Sequence, residues 1–167
     1  FVIGISKSAG FPFYHWLPNA MVALHPVSAL LHAVAVVKAG VFTVLKVGIY
    51  IFGVEKLAIS ETTDWVVWIA CFSILFASLI AMTKDNLKAR LAYSTISQLA
   101  YVVLGFALAN SLGILGGTLQ IITHAFGKIT LFMCAGSIYV ATKKTNISDM
   151  RGLGRVMPIT FLSFLIG

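Results

Sequence analysis

Charged residues are scarce in this sequence of 167 residues. Only 10% of the residues are charged and only five of them are acidic, whereas 59% are hydrophobic, and the mean hydropathy is +0.98. Soluble domains usually contain about 25% charged residues. The shortage of charge therefore excludes a soluble enzyme, a disordered tail and a nucleic-acid-binding protein, so we expect no nucleic-acid partner.

Cysteine is also scarce, and metal-ligand patterns are missing. The two cysteines, Cys71 and Cys134, lie in apolar runs, which predicts neither a disulfide framework nor a metal site. His15, His25 and His32 do not follow the spacing of metal ligands. No cofactor motif occurs in the sequence. We therefore expect no metal, no cofactor and no catalytic residues in this chain.

Long hydrophobic runs dominate the sequence instead. A membrane-spanning helix needs about 20 mostly apolar residues, and continuous runs of this length favour helices over a β-barrel, whose strands alternate. Four runs qualify and two more are partial: 27–53, 65–83, 91–109 and 117–142, with 1–17 and 158–167. The sequence predicts an all-α polytopic membrane protein with one transmembrane domain over 1–167, a bundle of helices. Because both ends lie in apolar runs and no signal peptide is present, we expect a fragment of a longer protein.

The connections between these runs alternate in charge. Segments 84–90 and 143–157 have net charges of +2 and +3, whereas 54–64 has −2 and 110–116 has none. Cytoplasmic loops of membrane proteins are enriched in Lys and Arg. We therefore place 84–90 and 143–157, and by continuity 18–26, in the cytoplasm, and we expect a bacterial inner membrane.

Four lysines remain within the hydrophobic segments: Lys7, Lys38, Lys46 and Lys128. A charge at the bilayer centre costs roughly 2.5–3.5 kcal/mol on insertion scales. Lys38 lies about 16 Å into its helix, close to the midplane, which favours a function over the alternative of a structural ion pair. Lys46 is nearer the helix end, where a lysine can extend towards the headgroups.

One helix combines a lysine with other polar residues. Gln120, His124 and Lys128 are spaced by four residues and therefore share one helix face. Such a face must contact protein or water rather than lipid. Histidine can accept and donate a proton near neutral pH, so this face is a candidate for proton transfer, although a lone histidine is more often a hydrogen-bonded core residue.

The preceding helix has a second polar stripe, formed by Ser94, Gln98, Tyr101 and Gly105. Small and polar residues along one face are ordinary helix-packing residues in membranes. Alternatively, the stripe lines a hydrated path beside His124. In the first segment, Gly10 and Pro12 interrupt an apolar run just after Lys7, as in broken membrane helices that line cavities.

Several motifs together resemble a known family. Segment 7–21, KSAGFPFYHWLPNAM, resembles the lysine-bearing motif of antiporter-like membrane subunits, which occur in respiratory complex I and in Mrp-type multisubunit cation/proton antiporters. Segments 26–41, 91–98 (LAYSTISQ) and 124–128 (HAFGK) continue the likeness in order. Two positions depart from the family pattern, since Asn19 stands where Asp is usual and Gly127 where a bulky residue is common.

The resemblance implies about fourteen helices in two inverted repeats, and each repeat contains a broken helix. The first broken helix would lie at the N-terminal end of this sequence. It implies that Lys7 is the central proton-carrying lysine on that broken helix and that Lys38, His124 and Lys128 belong to a polar axis at the midplane. The predicted proton-translocation residues are thus Lys7, Lys38, His124 and Lys128. The predicted supporting polar residues are His32, Ser94, Gln98, Tyr101 and Gln120.

The resemblance also implies partners. We expect other membrane subunits, the lipid bilayer and protons, with Na⁺ as a candidate exchanged ion. The residues favour an Mrp-type antiporter over the alternative, an antiporter-like subunit of complex I (an NADH:quinone oxidoreductase) or of a membrane hydrogenase. Two further alternatives remain open, namely a structural scaffold whose lysines form ion pairs and a carrier for an anionic solute.

Overall fold

The computed structural model describes residues 13–20, 36–53 and 64–167. Lys7, His25 and His32, together with most of segments 18–26 and 54–64, lie outside these ranges. The described residues are almost entirely helical, and they contain one isolated β-bridge but no strand. The helices are α1 (Trp16–Asn19), α2 (Val36–Val47) with a π-helix (Gly48–Phe52), α3 (Asp64–Thr83), α4 (Leu87–Ala107), α5 (Ser111–Thr142), a 3₁₀-helix (Ser148–Met150), α6 (Leu153–Val156) and α7 (Pro158–Ile166).

Helix α4 lies at the centre of the bundle. It packs against α2, α3 and α5, and α7 packs against α5. The largest apolar cluster joins α1, α2, α3 and α4, because each presents small or branched side chains to the others. Its buried members are Leu17, Val37, Val41, Val44, Leu45, Ala77, Ile96, Leu99, Val102 and Phe106. This cluster places α2, which carries Lys38, directly beside α4.

Helix α3 has the exposure pattern of a helix at the edge of a membrane bundle. Its buried positions, such as Val66, Ala70 and Ala77, share one face, and that face packs on α4. Large apolar side chains, including Trp68 and Leu79, are exposed on the other faces. Because lipid can cover apolar side chains that water cannot, this pattern suits a bilayer. Asp64–Thr83 and Ser111–Thr142 are both long and apolar enough to cross a membrane.

Helices α4 and α5 are each capped by asparagine. The amide of Ala89 donates to Oδ1 of Asn86, and the amide of Gly113 donates to Oδ1 of Asn110, which satisfies N–H groups that have no partner within the helix. Helix α5 therefore begins at Ser111, whereas the sequence places 110–116 in a connection. Helix α4 begins at Leu87 rather than at 91, since its charged first turn is helical as well.

Glycines allow α4 and α5 to approach closely near their connection. A Cβ atom at Gly105 would lie 2.7 Å from the carbonyl oxygen of Gly113, and one at Gly117 would lie 3.3 Å from the carbonyl oxygen of Val102. Glycine at such contacts is typical of membrane helix pairs. Gly113 and Gly117 therefore serve helix packing.

The two positively charged connections lie together at the other end of the bundle. Asn86 and Asn146 form an antiparallel bridge, and the amide of Ile147 donates to the carbonyl of Asp85 over 2.9 Å. Ser148 donates its amide and its hydroxyl to the Asp85 carboxylate, over 3.1 and 2.6 Å. Segments 84–90 and 143–157 thus lie on the same side of the bundle.

Candidate functional site

Three ionisable side chains are buried inside the bundle. Lys38 of α2 is 7% exposed, and His124 and Lys128 of α5 are 8% and 4% exposed. No other charged side chain or histidine is buried in 13–20, 36–53 or 64–167. The spacing argument predicts that His124 and Lys128 share a face, and the structure adds that this face is turned inwards.

Lys38 comes close to this face although it belongs to a different helix. His124 lies within electrostatic range of Lys128 on its own helix and of Lys38 on α2. We name these three residues the buried basic cluster. The described acidic residues Asp64, Asp85 and Asp149 are all exposed near helix ends, so the described part of the chain offers the cluster no buried carboxylate.

Lys128 has a backbone partner on α4. Its Nζ donates a hydrogen bond of 3.1 Å to the carbonyl oxygen of Leu91. The hydroxyl of Thr95, which is fully buried, donates to the same oxygen over 2.8 Å. Neither Leu91 nor Thr95 is predicted as a site residue, since side-chain spacing does not indicate which carbonyl accepts a bond from a neighbouring helix.

Each of the other two members of the cluster has one buried nitrogen without a hydrogen-bond partner among the described residues. Nζ of Lys38 and Nε2 of His124 are buried without a hydrogen bond. An unpaired buried polar atom is costly, and such atoms usually bond to ordered water or to another polar group. The two atoms therefore mark a position where water or a further side chain belongs.

The two predicted polar stripes meet through a pair of glutamines. Nε2 of Gln120 donates to Oε1 of Gln98 over 2.5 Å, and both side chains are half-buried. Gln120 is one turn before His124, so this pair lies next to the buried basic cluster. Ser94 is half-buried and Tyr101 is exposed at the edge of the same α4 stripe.

Two cavities approach the glutamine pair from opposite ends of the bundle. The first, of about 610 Å³, runs between α3, α4, α5 and α7 from the positively charged connections. Its polar lining consists of Ser78, Arg90, Ser94, Ser97, Gln98 and Arg151. The second is an open groove of about 500 Å³ along α4 and α5 near their connection. It is lined by Gln98 and Gln120 together with Tyr101, Leu104, Leu108 and several glycines.

Other predicted residues lie away from the cluster or outside the described ranges. Lys46 is exposed near the end of α2, and Lys7 and His32 are not described. Gly127, where the family pattern has a bulky residue, faces the end of α7, and a Cβ atom there would lie 2.8 Å from the carbonyl oxygen of Gly167. Among the described residues, no three His, Cys, Asp or Glu side chains lie close enough to hold a metal ion.

Comparison with known proteins identifies the family. The profile of the NADH:quinone oxidoreductase/Mrp antiporter transmembrane family matches residues 1–167. The chain belongs to this family. The resemblance that its motifs carry is thereby confirmed, as is the prediction of an all-α membrane protein.

Curated members of the NADH:quinone oxidoreductase/Mrp antiporter family match almost the whole chain. It is 39% identical over 166 residues to F(420)H(2) dehydrogenase subunit L of Methanosarcina mazei, covering 97% of this chain and 24% of that protein. It is 38% identical over 172 residues to NAD(P)H-quinone oxidoreductase chain 5 of Synechocystis sp., covering 98% of this chain and 24% of that protein. The chain thus spans about a quarter of the length of these relatives.

Solved structures of the family share the fold. A chain of the membrane-bound sulfane sulfur reductase, an archaeal respiratory membrane complex, superposes with a TM-score of 0.87 at 30% identity, covering 98% of this chain and 33% of that one. A chain of the Mrp complex from Dietzia sp. superposes with a TM-score of 0.75 at 37% identity, covering 83% of this chain and 15% of that one. The chain is therefore an integral membrane segment of an antiporter-like subunit.

Proposed function

We propose that this segment carries protons within the subunit to which it belongs, through Lys38, His124 and Lys128, with Lys7 as a further carrier. The observation that supports this proposal most is the buried basic cluster. Three ionisable groups lie together inside a membrane bundle, no carboxylate of the described residues neutralises them, and two of them have an unpaired buried nitrogen. Such intramembrane groups mark ion pathways and proton relays.

The chemistry of the three groups suits stepwise proton transfer. Each ammonium can donate a proton and each neutral amine can accept one, and the imidazole can do both through its two nitrogens. Because like charges repel, protonation of one group favours proton release from its neighbour. A proton added at Lys128 would thus be passed on by His124 towards Lys38, with water bridging the unpaired atoms. The supporting polar residues His32, Ser94, Gln98, Tyr101 and Gln120 would border this route.

The orientation is part of the same proposal. Segments 84–90 and 143–157 lie at one end of the bundle, and this end would face the cytoplasm by the positive-inside rule. The first cavity would then be the cytoplasmic one, and it reaches Leu91, whose carbonyl accepts a bond from Lys128. We place the protein in a bacterial inner membrane.

We further propose that the subunit belongs to an Mrp-type cation/proton antiporter with other membrane subunits, in which Na⁺ is the exchanged ion. The Mrp complex chain from Dietzia sp., 37% identical, supports this assignment. A second candidate is a subunit of a redox-driven proton pump, which the quinone oxidoreductase and F(420)H(2) dehydrogenase relatives favour. Purification of the native assembly separates the two, because only the second contains flavin or iron–sulfur subunits.

The proton-transfer role is tested by Lys38→Ala and Lys7→Ala in the full-length subunit within its assembly. We expect either change to abolish the formation of a pH gradient in membrane vesicles while the amount of assembled complex stays unchanged. Lost assembly instead of lost transport would support the scaffold alternative. Wild-type transport by correctly assembled variants would refute the proposal, and currents that depend on an anion would indicate an anionic substrate.

A further inference from the structure

The two cavities that reach the α4–α5 interface share one lining residue, Gln98. The first extends from Arg90 and Arg151, at the end with the positively charged connections, to Gln98. The second extends from Leu108 and Gly113, at the opposite end, to Gln98 and Gln120. Gln98 lines both cavities, and it lies near the middle of α4. Gln98, which accepts a hydrogen bond from Gln120, therefore lies at the border of both cavities.

The residues next to the pair are closely packed on several sides. Between the glutamines and the α4–α5 connection, the two helix backbones are in close contact. Gly105 lies against Gly113, and Val102 lies against Gly117. On either side of Gln98 in α4, Ser97 and Leu99 are buried, and Ser97 is held by the hydroxyl of Ser78 over 2.9 Å. A direct step from one cavity to the other at Gln98 passes the hydrogen bond between the two amides.

The chemical nature of the pair matters as much as its position. A carboxamide donates and accepts hydrogen bonds but has no group that titrates near neutral pH. The bond between the two amides also pairs one donor and one acceptor that would otherwise be costly at this depth. The pair can thus border water on both sides without itself passing a proton from one side to the other.

We infer that the Gln98–Gln120 pair is a proton barrier between the two cavities. It prevents protons from crossing directly at the α4–α5 interface and so directs them along the buried basic cluster. This inference rests on the proposed proton transport. It differs from the expectation that these glutamines merely hydrate the path, because it assigns them the role of keeping the two cavities apart.

The inference is tested by passive proton leak in the absence of any driving substrate. The purified assembly that contains the full-length subunit is reconstituted into liposomes. A pH jump is then imposed while a potassium ionophore clamps the membrane potential. A pH-sensitive dye inside the liposomes reports how fast the pH gradient decays. We expect Gln120→His, which introduces a titratable group, and Gln120→Ala, which removes the filling side chain, to raise the leak about tenfold, the factor that corresponds to about 1.4 kcal/mol.

Two further variants separate a barrier from a merely stabilising hydrogen bond. Gln120→Met fills a similar volume without titrating, so we expect its leak to stay near the wild-type level even though the bond to Gln98 is lost. Leu104→Ala enlarges the second cavity without touching either amide and is the matched control, also with a wild-type leak. The inference is refuted if the proton leak of Gln120→His equals that of the wild type. It is also refuted if Gln120→Met leaks as much as Gln120→His.

The outcome is independent of the test of the proposed function. Driven transport by Lys38→Ala, measured in the same vesicles, reports on the buried basic cluster, whereas the passive leak reports on the glutamine pair. Loss of driven transport in Lys38→Ala with no leak in Gln120→His would leave the proposed function standing and remove the barrier. The opposite pattern would retain the barrier to passive leak and remove both the proposed function and the routing of protons along the buried basic cluster.

Discussion

The two ends of the α4–α5 interface are built in different ways. Near the connection of the two helices, Gly105, Gly113 and Gly117 let the backbones touch, and no charged side chain takes part. Towards the positively charged end, Lys128 reaches from α5 to the carbonyl of Leu91 on α4. The first contact is the kind that holds membrane helices together, whereas a buried ion is weak evidence for stability. We therefore expect mutations at the first end to affect stability and mutations at the second to affect transport.

The largest expected effect is that of Lys128→Met. Methionine is apolar and similar in length, and replacing buried charges by packed apolar groups is often neutral or stabilising for the fold. We expect proton transport by the full-length assembly to fall to background while its thermal stability is retained. Lys46→Met is the matched control, since Lys46 is exposed on α2, and it should transport normally. Normal transport by Lys128→Met would contradict the contrast between the two ends.

A smaller effect is expected from Gly105→Ala at the other end. The added Cβ would lie 2.7 Å from the backbone oxygen of Gly113, and backbone atoms cannot move as a side-chain end can. Overpacking of this kind costs about 1–3 kcal/mol, which exceeds the gain in helix propensity of about 1 kcal/mol. We expect a lower melting temperature of the purified complex.

The control for this change is Gly116→Ala on α5. A Cβ atom at Gly116 has no neighbour within 4 Å, so only the gain in helix propensity remains. This variant should be as stable as the wild type or more stable. Equal destabilisation by both alanines would show that close backbone packing does not hold this end of the interface.

The smallest expected effect is that of Thr95→Val. The substitution keeps the shape of a fully buried side chain and removes one hydroxyl bond to the Leu91 carbonyl, which still accepts a bond from Lys128. Loss of one such bond costs about 0.5–1.5 kcal/mol. We expect a slight loss of thermal stability, restored in part by Thr95→Ser, with unchanged transport. A large loss of transport would instead show that Thr95 positions Lys128.

The helix boundaries show what a hydropathy pattern can and cannot predict. The run 65–83 and the helix Asp64–Thr83 nearly coincide, because charged residues bound an uninterrupted apolar stretch. The starts of α4 and α5 differ from the predicted ones. Helix α4 begins earlier, at Leu87, because hydropathy does not detect a charged first turn with an asparagine cap. Helix α5 also begins earlier, because glycines such as Gly113 stay helical where a neighbouring helix packs on them.

The spacing of Gln120, His124 and Lys128 is enough to place them on one face, because the pitch of a helix depends on local backbone geometry alone. Their polarity is enough to exclude lipid contact for this face. The packing of the helices is needed to bring Lys38 of α2 near the face and to make the Leu91 carbonyl the partner of Lys128. It is also needed to join Gln98 to Gln120 by a hydrogen bond at the border of two cavities. These contacts join helices that are distant in sequence, and their geometry depends on how the apolar cluster and the glycine contacts set the helix positions.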